Sequence, residues 1–273
     1  MNKIKQIIKG KPARNNLTIF DDDIFLVSYP RSGNTWIRFL LGTLITEKKI
    51  DWENMELGIP DIYRNTNKKL LKYNRPRFIK SHHSFDERYS KVVYLVRDVR
   101  DVIISYYNFY LKFKLEVKPL KTMDEFIERF IIGDLDDFGT WNHNIDSWLS
   151  NKDQIKNGLF FVKYEDIKVD TINCIKDILC FINLKKSDEE INNAIEWCSF
   201  NNMKRMEKKQ RDVKLFSNSD NNRDFMRSGK SGDWKEILNE TQIERINVEY
   251  SRTLIELGYK VKMIELSDTI SVD

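Results

Sequence analysis

The sequence predicts an α/β fold in which a parallel sheet is covered by helices on both faces. Three observations lead there. Apolar runs at residues 24–28, 91–97 and 159–164 are too short for helices and too continuous for strands with one wet face. Each is followed by a segment whose apolar residues recur every three or four positions, the period of a helix. The 273 residues, 41% of them hydrophobic, can bury a sizeable core, and no repeat or Pro/Gly/Ser-rich linker divides the chain.

The elements follow in order. Ile24–Ser28 reads as a buried strand, Pro30 and Gly33 as a tight turn, and Ile37, Leu40, Leu41, Leu44 and Ile45 as the apolar stripe of a helix. Residues 77–80 form a short strand and 91–97 a stronger one, followed by a helix carrying Val99, Val102, Ile103, Tyr106 and Tyr110. Residues 159–164 give another strand, and Ile172, Ile175, Leu179 and Ile182 another helical face. Alternation of strands with helices is the signature of parallel crossovers. The last third reads as helical. Ser187-x-x-Glu190 and Thr241-x-x-Glu244 are read as capping boxes, and Gly258 as a helix stop. Residues near 111–140 and 208–232 read as long mobile loops, either binding segments or loops without a role. One domain over 1–273 is expected, with its core at about 20–260.

Composition narrows the function classes. With 46 basic and 42 acidic residues, the net charge of +4 gives no reason to expect nucleic acid as a partner, but leaves room for a local anion site. Lysines interrupt the apolar residues of Met1–Gly10, so no signal-peptide core is expected, and no window is long enough for a membrane span. Three cysteines in no C-x-x-C pair argue against a disulfide framework. Cys174 and Cys180 read as core packing. A cytoplasmic location is expected.

Four segments carry chemistry. Between the first strand and helix lies Tyr29-Pro30-Arg31-Ser32-Gly33-Asn34-Thr35-Trp36. A tight turn at a helix N-terminus gathers backbone N–H groups and partial positive charge. Arg31 adds a forked cation, and Ser32 and Thr35 add hydroxyls. No Lys-Ser/Thr pair follows Gly33, so this is not a Walker A loop. The alternative is an ordinary capped turn. Arg97 ends the 91–97 strand, with Ser105 two helical turns on, and the two can clasp a second phosphate; an Arg97 salt bridge is the other reading. Asp98 and Asp101 read as helix-start charges and ion-pair partners. Lys80-Ser81-His82-His83 places an imidazole and an ammonium after a short strand, for a general base and for developing negative charge, or for structure alone. Arg227-Ser228-Gly229-Lys230-Ser231-Gly232-Asp233-Trp234 is either an anion-wrapping loop or a flexible basic one.

The joint order of these segments resembles the cytosolic sulfotransferase family. Tyr29–Trp36 is similar to its 5′-phosphosulfate loop, Arg97 through Ser105 to its 3′-phosphate strand and helix, and Arg227 through Lys235 to its R-K-G-x-x-G-D-W-K signature. Tyr164-Glu165-Asp166, Ser199-Phe200-x-x-Met203 and Gly139-Thr140-Trp141 resemble its Y-E-D, S-F-x-x-M and G-S-W segments, so the likeness runs from about residue 24 to 258. The resemblance implies a P-loop NTPase-like three-layer fold. It implies 3′-phosphoadenosine 5′-phosphosulfate (PAPS) as sulfuryl donor, with no metal. Arg31, Ser32, Gly33, Asn34, Thr35 and Trp36 would hold the 5′-phosphosulfate. Trp36, Tyr164 and Phe200 would pack at the adenine. Arg97, Ser105, Arg227, Ser228 and Gly229 would hold the 3′-phosphate. Lys80-Ser81-His82 is similar to the family's K-T-H, which makes His82 the base, Lys80 a stabiliser of the sulfuryl oxygens, and Arg31 a support for the leaving phosphate.

Arg31, Ser228 and Cys198 depart from the family's usual Lys, Lys and Thr. The last departure implies one hydrogen bond fewer to adenine, and His83 is a second imidazole beside His82. The acceptor is a small molecule, a glycan or a lipid, bearing a hydroxyl or an amine. Its pocket is expected from 55–75, 108–140 and 208–225, with Tyr107, Phe109, Tyr110 and Phe138 as an aromatic wall or as core. A small-metabolite kinase and a catalytically dead nucleotide-binding protein are the competing readings.

Overall fold

The computed structural model describes residues 11–261 except 116–119, 121, 214, 217 and 218. Met1–Gly10, parts of the two long segments and the C-terminal residues from 262 lie outside the described residues.

Four parallel strands form the sheet: β1 (Ile24–Ser28), β2 (Phe78–Ser81), β3 (Lys91–Val96) and β4 (Leu159–Lys163), in the order β2-β1-β3-β4. Ile24 stands opposite Phe78 on one side and Lys91 on the other, and Val92 pairs with Leu159. Burial on both faces explains the unbroken apolar runs. Successive side chains alternate, so Phe25, Val27, Val92, Tyr94 and Val96 enter one core and Ile24, Leu26, Val93 and Leu95 the other. The first core is closed by α3 (Val99–Phe113), α4 (Met123–Ile132), α5 (Trp141–Ser150) and α11 (Glu240–Glu256). The second is closed by α1 (Asn34–Thr46), α6 (Tyr164–Val169), α7 (Thr171–Phe181), α8 (Asp188–Trp197) and α9 (Phe200–Lys209). The result is the expected three-layer α/β architecture. Two one-turn helices, α2 (Asn67–Leu70) and α10 (Trp234–Ile237), complete the set.

This strand order places the site. The chain leaves β1 to one side to make β2, then returns to the other side for β3. The connections after β1 and β3 therefore diverge, and open α/β sheets hold ligands in the crevice where they do. The turn 29–33 and Arg97 sit at that crevice.

Some sequence expectations need correction. Residues 111–140 are not one long loop. α3 runs to Phe113, and α4 begins at Met123, capped by Thr122, whose side chain accepts from the N–H of Glu125. The capping box of α11 is formed by Asn239 and Gln242 rather than Thr241 and Glu244, because the helix starts two residues earlier. The box at Ser187 and Glu190 is present, and α11 ends just before Gly258. Cys180 is exposed and Cys174 half-buried, so neither is the core residue expected; their helix buries Ile175, Ile178 and Leu179 instead. No helix among the described residues is long and apolar enough to cross a membrane.

Candidate active site

A cleft of about 320 Å³ opens at the carboxyl ends of β1 and β3. Arg31, Arg97, Ser105 and Arg227, drawn from three separate stretches of chain, all line it. So do Gly33, Asn34, Thr35, Trp36, Lys80 and His82, and so do Tyr164, Phe200, Ser228 and Gly229. Ser32 does not. It is fully buried behind the turn, and its hydroxyl has no partner among the described residues, so of these site residues it alone contributes no surface.

The turn owes its shape to local constraints. Gly33 has φ 96° and caps α1 in the left-handed region. A Cβ there would lie 2.4 Å from the Tyr164 ring, so both backbone and space demand glycine. The first-turn N–H groups of α1 lack helical partners, as at any helix start. Arg31, also at positive φ, folds back so that Nε donates to the Ser105 hydroxyl at 3.2 Å. Its guanidinium lies over the rings of Phe109 and Phe225, at 4.8 and 4.5 Å. Burial first, and Arg97 next, hold its pKa below the usual guanidinium value. Such a cation gains from an incoming anion.

Arg97 Nη2 donates to the Lys230 carbonyl at 2.7 Å, and Asp101 is 3.8 Å away. Its Nε is buried without a partner among the described residues, and the guanidinium sits 4.4 Å over the Tyr164 ring. The salt bridge considered from sequence is therefore present but loose. Asp98 caps α3 and pairs with Arg100. Asp101 does more than pair: its carboxylate accepts from the N–H groups of Gly232 and Trp234, at 2.6 and 3.2 Å, tying the 227–234 loop to α3. In that loop Arg227 and the Ser228 hydroxyl both donate to Asp233, and Tyr164 donates to the Gly229 carbonyl at 3.2 Å. Gly229 has φ 66°, and a Cβ on it would meet the Phe200 ring at 2.3 Å. Trp36 meets Tyr164 edge-on at 5.7 Å, so Trp36, Tyr164, Phe200 and Gly229 form one aromatic-walled end of the cleft.

His82 lies on the opposite wall. Its Nδ1 is 2.6 Å from the Ser28 carbonyl oxygen, which can only accept. The ring proton is therefore on Nδ1, and Nε2 carries the lone pair. Burial, then the charge of Lys80, holds the imidazole well below its ordinary pKa, so it is neutral near pH 7. His83 does not line the cleft; it bonds to Tyr89, and its carbonyl accepts from Trp148. Lys80 donates to Asp61 at 3.0 Å, both side chains being nearly buried. Burial pulls Lys80 down to about 8 against that pairing. Burial alone would raise the Asp61 pKa, but Lys80, Arg38 and Arg64 together hold it well below the usual carboxylate range. Lys80 is thus a cation tethered by Asp61.

Sequence reasoning missed several residues. Asp61 and Tyr63 enter from the 55–75 segment, and Tyr63 stacks on His82 and accepts its backbone N–H. Glu207 accepts from the N–H groups of Phe225 and Met226 and pairs with Lys112, fixing the ring under Arg31. No local pattern marks these roles, since each depends on a contact across the fold. Of the four rings considered from sequence as a wall or as core, Phe109 and Phe138 line the cleft. Tyr110 is core, and Tyr107 packs against it, while Tyr106 and Asp136 take their place. Cys198 is buried, with Sγ 3.9 Å from the Thr43 hydroxyl, and does not line the cleft. No group of three His, Cys, Asp or Glu side chains suited to a metal ion occurs among the described residues.

Residues 21–258 match the model of the Sulfotransferase domain family. Sulfotransferase 1 family member D1 of Mus musculus is 30% identical over 88% of this chain and 86% of its own. Sulfotransferase 1A1 of Rattus norvegicus is 28% identical over 90% and 89%. Among solved structures, retinol dehydratase in complex with androsterone and the inactive cofactor PAP superimposes with a TM-score of 0.72 at 21% identity, covering 88% of this chain and 82% of that one. Mouse sulfotransferase SULT7A1 complexed with PAP gives 0.67 at 22%, covering 89% and 87%.

Proposed function

The chain belongs to the sulfotransferase family, and we propose that its cleft takes PAPS and passes the sulfuryl group to a small-molecule acceptor, with His82 as general base. The observation that carries this is the convergence of Arg31, Arg97 and Arg227 on one cleft whose other wall holds a neutral imidazole with a free Nε2. The residues suit the donor. The buried, unpartnered Nε of Arg97 and the burial-depressed Arg31 are both groups that an anion stabilises.

In this reading the 3′-phosphate lies with Arg97, Ser105, Arg227, Ser228 and Gly229, and the 5′-phosphosulfate with Arg31, Gly33, Asn34 and Thr35. Trp36, Tyr164 and Phe200 face the adenine. The donor supplies a sulfuryl group on a phosphate leaving group: the acceptor oxygen forms its S–O bond as the S–O bond to the 5′-phosphate breaks. The acceptor's proton goes to His82 Nε2, where Ser28 has fixed the tautomer to receive it. Lys80, held by Asp61, offers positive charge to the sulfuryl oxygens, and Arg31 to the leaving phosphate. Ser32 acts through backbone shape only. A single catalytic domain in the cytoplasm is part of the same reading, supported by the cysteine usage and the span of the family match.

Thermal shift tests it. A rise in Tm with 3′,5′-adenosine bisphosphate (PAP) and none with Mg·ATP is the expected result. A rise with Mg·ATP alone would favour the kinase reading. Donor binding without transfer to any acceptor would favour the inactive one.

A further inference from the structure

Lys80 enters the cleft from β2 with Asp61 as its hydrogen-bond acceptor among the described residues. The backbone brings the two together. The Lys80 N–H donates to the Pro60 carbonyl at 2.9 Å and the Ile62 N–H to the Lys80 carbonyl at 3.3 Å, so Asp61 forms a parallel bridge with Lys80 beside β2. Asp61 is held in turn. Its N–H donates to Glu56 Oε2 at 2.8 Å, and its Oδ1 accepts the Tyr63 N–H at 2.8 Å, which leaves Oδ2 for the Lys80 ammonium at 3.0 Å. An ammonium has three N–H donors, so one goes to Asp61 and two remain.

The other groups around Lys80 oppose its charge or leave it unbalanced. Burial acts most strongly against protonation, and Arg38 and Arg64 add to it. Arg38 is fixed there by the Ile59 carbonyl at 2.7 Å and Glu56 at 3.2 Å. Arg64 shares the Asp61 carboxylate at 3.8 Å. The Tyr63 ring, 4.8 Å from the ammonium, and the neutral His82 bring no formal counter-charge. Asp61 has two opposite effects on an anionic donor. Its own charge repels the donor, while its pairing keeps a cation at closer range. A buried amine without a counter-ion sheds its proton and then has no charge to offer, so the second effect dominates.

We propose that Asp61 is a positioning residue for sulfuryl transfer, which anchors the Lys80 ammonium through one donor and leaves the other two for the oxygens of the transferring group. The proposal rests on the donor reading of the cleft given above. It has a consequence that chemistry alone separates from general support of the fold. PAP lacks the sulfuryl group, so whatever Asp61 does through Lys80 is felt by PAPS and not by PAP.

Calorimetry with PAPS and with PAP, without acceptor and across a range of pH, tests this. Comparing the ratio of the two Kd values between variants at each pH cancels the titration of the ligands themselves. In the unaltered protein the ratio should turn against PAPS as pH rises past about 8. Asp61→Asn keeps an oxygen for the hydrogen bond but removes the charge, so the turn should come at least about one pH unit lower. At pH 8 that variant should bind PAPS about tenfold more weakly than the unaltered protein, with PAP within about twofold. Asp61→Glu should restore most of the loss. In a Lys80→Met background, Asp61→Asn should add less than about twofold, because the residue it acts through is gone. An equal loss for PAPS and PAP, tighter PAPS binding by Asp61→Asn at every pH, or an undiminished loss in the Lys80→Met background would overturn the proposal and leave the donor reading standing. A ratio in the unaltered protein that stays flat well above pH 8 would overturn it without any variant. Failure of the unaltered protein to bind either nucleotide would instead overturn the donor reading, and this proposal with it.

Discussion

The Asp101 carboxylate holds the backbone N–H of Gly232 at 2.6 Å, across 131 residues of sequence. Its other oxygen takes the N–H of Trp234, so one side chain anchors the loop that carries Arg227, Ser228 and Gly229. Asp101→Ala leaves these donors without their partner, at about 1–3 kcal/mol for a buried polar group. PAP binding measured by calorimetry is expected to weaken by about tenfold or more, while kcat at saturating donor changes little. An unchanged Kd would show that the loop holds its shape by other means.

Gly229 combines φ 66° with a Cβ position inside the Phe200 ring. Gly229→Ala is expected to push Phe200 aside and to cost about 1–2 kcal/mol from the left-handed backbone alone. A lower Tm together with weaker PAP binding checks it. Loss of Tm without loss of affinity would mean that the Phe200 ring does not matter to the nucleotide.

The pH profile follows from two groups on one wall. As the proposed base, His82 would have to be neutral to accept a proton, and burial holds its pKa well below 6.5, so kcat/KM should fall only when pH drops below that value. In the same reading Lys80 would have to be charged, and burial pulls its pKa down to about 8, so the alkaline limb should lie near 8. A bound anion favours the charged ammonium, so in kcat, which reports the donor complex, the alkaline limb moves upward. Lys80→Arg should move that limb out of the measured range. His82→Ala should lower kcat by about 10²–10⁴ with PAP binding retained. An acid limb at or above pH 6.5 would be incompatible with a desolvated His82.

Arg77 and Asp23 form a fully buried bidentate pair at the amino end of β1 and β2, far from the cleft in role. Arg77→Met strands the carboxylate and should lower stability by about 3–5 kcal/mol in urea unfolding. The double variant Arg77→Met/Asp23→Leu should recover most of the loss. If the single change is mild, the pair is not what keeps that end of the sheet closed.

Much of the fold was legible because its signals are local. The central strands β1 and β3 are apolar runs buried on both faces, and the Ser187 and Gly258 helix boundaries follow from side chains within a few positions. The failures are instructive for the same reason. Thr122-x-x-Glu125 was a readable start for α4, but the surrounding charges hid the Phe126, Ile127 and Phe130 stripe. At α11 two capping patterns overlap by two residues, and the one at Asn239 is used, directly after the buried Leu238. The cleft-lining residues proposed to hold the donor could be named from motifs. The partners that aim them could not, because Ser28 with His82, Asp61 with Lys80 and Asp101 with Gly232 meet only through sheet order and loop return.

The Lys112–Glu207 pair fixes the backbone at Phe225, and the Phe225 ring carries the guanidinium of Arg31. If the cleft works as proposed, the residue beside the leaving phosphate and the loop around Phe225 share a single brace. Remodelling the loop at Phe225 and Met226 to admit bulkier acceptors should then loosen the hold on the leaving group unless that brace is rebuilt, so selectivity and turnover would not be independently adjustable.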